Sequence, residues 1–205
     1  MSPPGRMTVF AQQYIEELCE VLRGVPVHTV VQVMELLEKT LAEDRQVFVA
    51  GNGGSAATAS HIANDLCKTV TGSNPIQKGF RAIALTDNVP LLTAWANDVG
   101  YEEVFAGQLR SLAQPGDVLI LVSGSGNSMN LVRAAQRARD TGLVIIGLLG
   151  KGGGQLKPLV DVAVVVPADE YGPIEDVHLA LNHLITAYFR NWVRAKVAAQ
   201  VSTDG

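Results

Sequence analysis

The chain has 205 residues, 47% hydrophobic and 18% charged, with a formal net charge of −4; its mean hydropathy is +0.19 and its pI about 5.5. That is apolar material enough for a folded core, without a run long enough to cross a bilayer or a Lys/Arg cluster dense enough for a nucleic-acid footprint, so neither membrane nor nucleic acid is expected as a partner. The opening MSPPGRMTVF lacks the apolar centre of a signal peptide, and Cys19 and Cys67 are too few for a disulfide framework or a cysteine-built zinc site, so a cytoplasmic chain with two reduced thiols is expected.

Two helices are predicted first, over about 8–23 and 27–43, broken at Gly24-Val25-Pro26. The second carries Val30, Val31, Val33, Met34, Leu36, Leu37 and Leu41 at helical spacing. Five short apolar runs follow, at 46–50, 82–85, 118–122, 144–149 and 162–166. They are continuous rather than alternating, which suits strands of a parallel sheet covered on both faces. Helical patterns fill the gaps over 55–70, 88–96, 102–113 and 129–141, the last closing on Gly142. A long helix from about Pro173 to Ala199 ends the pattern, with proline in its first turn. The alternation predicts an α/β fold, a doubly wound five-stranded parallel sheet of flavodoxin-like type. With no repeat or linker, one domain over 1–205 is expected, a helical arm at about 8–43 preceding an α/β core at about 46–199. The helices offer more apolar surface than one sheet face needs, which predicts an oligomer built through them.

Two turns stand out. GNGGSAA at 51–57 and SGSGNS at 123–128 each follow an apolar run and precede a helix. In an open parallel sheet both would border the crevice at the carboxyl ends of the strands. Glycines admit close backbone approach, serines add donors, and helix N-termini add free N–H groups with partial positive charge. Together they make a phosphate cradle that needs no lysine. Neither turn is a Walker loop or a dinucleotide fingerprint, so no nucleotide is expected.

Behind the first turn, His61 and Asp65 are one helical turn apart and share a face. The last helix carries Glu175, Asp176, His178 and His183. At about 100° per residue, Glu175 and His183 lie about 80° apart, whereas His178 and His183 lie about 140° apart. One face can therefore present Glu175 with His183, and His178 must look elsewhere, as a packing histidine. Two histidines and two carboxylates from two helices could serve as acid–base groups or bind zinc. His28 reads as a solvated helix residue.

GNGGSAATASHIANDL, the TDN…AWANDVGYEEVF segment, SGSGNS and PIEDVHLALNHLI, in this order and spacing, resemble the sugar isomerase (SIS) domain family. The HxxxD helix with EDVHLALNH is similar to its phosphoheptose isomerases, which interconvert sedoheptulose 7-phosphate and D-glycero-D-manno-heptose 7-phosphate by way of an enediol. The resemblance covers nearly the whole chain. It implies that Asn52, Gly53, Gly54 and Ser55 line the sugar phosphate site, with Asn97 and Asp98 at its side, and that Ser123, Gly124, Ser125 and Ser128 hold the phosphate. It also implies a general base at Asp65, a second proton-transfer group at His183, and a zinc ion bound by His61, Asp65, Glu175 and His183. Glu175 is expected to touch substrate as well, and the assembly is expected to be a homotetramer with active sites at subunit interfaces.

Three positions depart from that family's pattern. Asp65 stands where glutamate is usual, Glu175 where glutamine is common, and Lys68-Thr69 where an arginine often follows the acid. Two other functions compete: a SIS module that binds a phosphosugar or protein without catalysis, and an isomerase for another phosphosugar. An aminotransferring enzyme is disfavoured, since no second SIS domain or glutamine-hydrolysing domain is evident.

Overall fold

The structure is a computed structural model that describes residues 4–72 and 78–203, leaving the first three residues of the opening segment and the last two of the expected domain outside. Five strands, β1 (Gln46–Ala50), β2 (Arg81–Ala84), β3 (Val118–Ser123), β4 (Val144–Leu149) and β5 (Val162–Val165), form a sheet ordered β2-β1-β3-β4-β5. Every pairing is parallel, with Val47 opposite Val118 and Val118 opposite Val144.

Alternate residues of each strand feed two cores, because side chains leave a strand on opposite faces. Val47, Val49, Val118, Ile120 and Val122 face a core covered by α1 (Pro4–Arg23), α2 (Val27–Ala42), α3 (Gly54–Cys67) and α7 (Tyr171–Thr203). Phe48, Ala50, Leu119 and Leu121 face the other, covered by α5 (Ala106–Leu112) and α6 (Met129–Thr141), with α4 (Val89–Asp98) beside them. The central runs are continuous because both faces are buried.

This order creates a switch point. The chain leaves β1 toward β2 and β3 toward β4, in opposite directions, so α3 and α6 lie on opposite faces. The gap between the ends of β1 and β3 is where such sheets take ligands.

Several boundaries shift by a few residues from the sequence reading, and three of the shifts have a clear physical reason. Strand β2 begins at Arg81 rather than Ala82 because it is an edge strand, where a charged side chain can stay exposed. The helix expected over 102–113 is a 3-10 turn at Tyr101–Glu103 followed by α5, since Val104 and Phe105 turn into the second core between them. The helix expected over 55–70 ends at Cys67 and gives way to a 3-10 turn at Thr69–Thr71. Gly142 closes α6 in the left-handed region at φ 81°, a terminus that glycine adopts without a side-chain clash.

Helix α7 sets the geometry of the site. Ile174, Val177, Leu181, Ile185 and Phe189 form its buried stripe at three- and four-residue spacing, each contributing about 1.5–3 kcal/mol by burial. The stripe fixes the helix's rotation, and with it the directions of Glu175 and His183. Cys19 and Cys67 are unpaired and exposed in the structure.

Candidate active site

The two glycine–serine turns meet across the switch point. Asn52 Nδ2 donates to Asn130 Oδ1 at 2.9 Å and Asn130 Nδ2 donates to Asn52 Oδ1 at 2.9 Å, a reciprocal amide pair joining the start of α3 to the start of α6. Tyr101 Oη donates to the same Asn52 oxygen at 3.0 Å. Asn130 is almost fully buried, so its amide needs these partners.

The second turn is stiffened from within. Ser123 Oγ accepts from Gly126 N at 3.0 Å, and Ser125 Oγ accepts from Asn127 N at 3.2 Å. A hydroxyl used as an acceptor keeps its own O–H to donate, so both serines can still serve a ligand oxygen. Ser128 starts α6 with its side chain free of any cap bond. Gly126, at φ 66°, lies under the Gly153 carbonyl, where a Cβ would collide.

Asn52, Ser55, Ser123, Gly124, Ser125, Ser128, Tyr171 and Glu175 line one cleft of about 130 Å³. Two helix N-termini open onto it, and its lining, completed by Val122 and Leu131, is mostly polar and carries no cation. A hollow of about 660 Å³ runs along edge strand β2, lined by Ser60, Asn64, Cys67, Asp87 and Asn88 among others. Size favours the hollow; convergent donors favour the cleft, and chemistry decides for the cleft.

Further along α3, His61 Nε2 stands 3.4 Å from Asp65 Oδ2 and 3.4 Å from His183 Nε2 of α7. One ligand atom from each of the three lies within 4.8 Å of the others, a group that could hold a metal ion. The Asp65 carboxylate is buried and fully engaged. Oδ2 accepts from Asn182 Nδ2 at 2.8 Å, and Oδ1 accepts from Thr69 Oγ1 at 2.8 Å and from Asn64 Nδ2 at 3.3 Å.

The remaining predicted residues divide. Glu175 does not join that trio. Its carboxylate lies over Gly54 at the start of α3, where a Cβ would strike it, so it belongs to the cleft. Eight residues, roughly 12 Å of helix, separate it from His183. Asn97 and Asp98 end α4 outside the cleft, with Asn97 Nδ2 donating to Asp98 Oδ1 at 2.8 Å. His178 does look elsewhere: it is 0% exposed, and neither ring nitrogen makes a hydrogen bond of good geometry among the described residues, the Leu149 backbone being a weak partner. Burial pushes its pKa down to about 4, against a smaller opposing pull from the Leu149 backbone.

Strand order and switch-point geometry place the chain among doubly wound α/β proteins whose ligand crevice lies at the carboxyl ends of the strands. The SIS domain family matches over residues 12–150. A phosphoheptose isomerase of Helicobacter pylori (strain P12) is 43% identical over 155 residues, spanning 75% of this chain and 79% of that protein. Among solved structures, the phosphoheptose isomerase of Neisseria gonorrhoeae superposes with a TM-score of 0.82 at 30% identity, covering 90% of this chain and 99% of that one. That of Francisella tularensis superposes at 0.84 with 26% identity, covering 93% and 100%. The chain belongs to the SIS domain family and, within it, to the phosphoheptose isomerases.

Proposed function

We propose that the chain is an aldose–ketose isomerase that interconverts sedoheptulose 7-phosphate and D-glycero-D-manno-heptose 7-phosphate, acting as one SIS domain. One helix carries the reading. α3 starts at the first phosphate turn and presents His61 and Asp65 two to three turns on, roughly 10–16 Å along its axis, where His183 joins them. In a heptose 7-phosphate the phosphate sits on the last carbon and the reaction on the first two. A long sugar therefore needs its anion cradle and its proton-transfer groups at opposite ends of the site.

The backbone of Gly53 and Gly54, the side chains of Asn52 and Ser55, and Ser123, Gly124, Ser125 and Ser128 hold the phosphate end. Tyr101, whose hydroxyl reaches Asn52, flanks the sugar, whereas Asn97 and Asp98, expected at its side, stand outside the cleft in the single chain. Glu175 hydrogen-bonds sugar hydroxyls from its place over Gly54. Asp65 takes the proton from one reacting carbon and returns it to the neighbour, while His183 serves the oxygens.

The cofactor we assign is zinc. Donors about 2.0–2.1 Å from a tetrahedral zinc stand roughly 3.4 Å from one another, and both His61 contacts measure 3.4 Å. His61, Asp65 and His183 would hold the ion, with Glu175, expected as a fourth ligand, standing apart. When bound, such a cation polarises the carbonyl and offsets charge on the enediolate.

The assembly is a homotetramer with sites at its interfaces, a reading supported by Met7, Phe10 and Ile15 of α1, exposed at 72%, 69% and 60%; a monomer in light scattering would contradict it. The cytoplasm is the expected compartment, in keeping with the lack, among the described residues, of any helix long and apolar enough to cross a membrane.

Asp65→Asn tests the assignment of the base. Turnover should vanish while phosphosugar binding, measured by calorimetry, stays within a few-fold, because the cradle is separate. Turnover at the parent rate would show that Asp65 is not the base.

A further inference from the structure

The sequence resemblance implies a glutamate at the position of Asp65, which is one methylene shorter, and an arginine where Lys68-Thr69 stands in this chain. The structure shows what surrounds the shorter acid. Asn182 Nδ2 donates to Oδ2 at 2.8 Å, and Thr69 Oγ1 donates to Oδ1 at 2.8 Å. Each oxygen thus has its own close donor, one from α7 and one from the 3-10 turn after α3. Asn182 is 3% exposed, and among apolar neighbours its amide has Asp65 as a partner rather than solvent.

We infer that Asn182 and Thr69 are positioning residues that fix the Asp65 carboxylate so that Oδ2 is presented to His61 and His183. A helix-borne aspartate has a free torsion about its last bond, and either oxygen could face the histidines. Donors to both oxygens lock that torsion, as outer partners do for metal-binding carboxylates. Thr69 reaches Oδ1 because α3 stops at Cys67 and the 3-10 turn swings its hydroxyl back by one helical turn. Asn182 reaches Oδ2 because it directly precedes His183, so the residue that aims the carboxylate rides on the helix that brings the second imidazole.

The inference rests on the proposed reading of the site as metal-assisted, and its test separates the two. Co²⁺ is titrated into the parent, Asn182→Leu and Thr69→Val, and followed by visible absorption, with circular dichroism checking the fold. Leucine keeps the branched shape of Asn182 and valine that of Thr69, while each removes a donor. Asn182→Leu should weaken cobalt binding 10–100-fold and change the ligand-field spectrum. Thr69→Val, on the half-buried side, should weaken it several-fold and serves if the first variant fails to fold. For the heptose phosphate, kcat should fall while KM changes by less than about threefold, since the cradle is untouched. Unaltered cobalt affinity and spectrum in folded variants, with a parent that binds cobalt, would overturn the positioning role alone. A parent that binds no cobalt would overturn the metal reading and this inference with it.

Discussion

His61 and His183 are 122 residues apart in sequence, yet their Nε2 atoms face each other across 3.4 Å, with Asp65 Oδ2 equally close to His61. Two imidazole nitrogens aimed at each other can share a proton or a cation. On the metal-assisted reading proposed above, the adjacent carboxylate completes the donor set for a cation.

Metal should therefore stabilise the fold. At a hundredfold excess over Kd, zinc adds about 2.7 kcal/mol, which for a chain of this size raises Tm by roughly 5–10 °C. His183→Ala, at an exposed position, should fold but lose that rise. An equal zinc-induced shift in His183→Ala, measured by differential scanning calorimetry, would place the metal elsewhere.

Strands were legible where burial is symmetric. The runs at 46–50 and 144–149 match β1 and β4 to the residue, because both faces of those strands must be apolar. Edge strand β2 slipped by one position, since Arg81 does not look like a strand residue until its exposure is known. At the site, the turns, His61, Asp65 and His183 could be read from residue type and helical spacing. Asn130, Tyr101, Thr69 and Asn182 could not, because their roles lie in contacts made across the fold. Asn182 did leave one signal: an amide in the apolar LALNHLI stretch, four residues after His178, must have a buried partner. Glu175 was placed correctly by angle but not by distance, because eight residues of helix carry it away from His183.

The second turn should govern affinity rather than chemistry. Ser125→Ala removes a hydroxyl that the Asn127 amide orients and that we assign to the phosphate. A hydrogen bond to a charged group is worth about 1.5–3 kcal/mol, so KM should rise tenfold or more with kcat little changed. A fall in kcat at constant KM would remove Ser125 from the phosphate end.

His178 should make stability depend on pH. Its pKa falls from 6.5 to about 4 on folding because burial disfavours the charged ring. Between those values the unfolded chain holds a proton that the folded chain does not. Stability then rises with pH across this window and is lost as pH falls from 6.5 toward 4, on the order of 3 kcal/mol in all. Urea unfolding at a series of pH values should give a slope shallower by up to about 1.4 kcal/mol per pH unit in His178→Leu than in the parent. Parallel slopes would mean that the ring is protonated within the fold.

The most direct test of the central claim is an NMR time course of the purified protein with sedoheptulose 7-phosphate, with and without added zinc. The account predicts resonances of an aldoheptose 7-phosphate, appearing faster in the zinc-loaded sample. An unchanged spectrum from folded, zinc-loaded protein would contradict it.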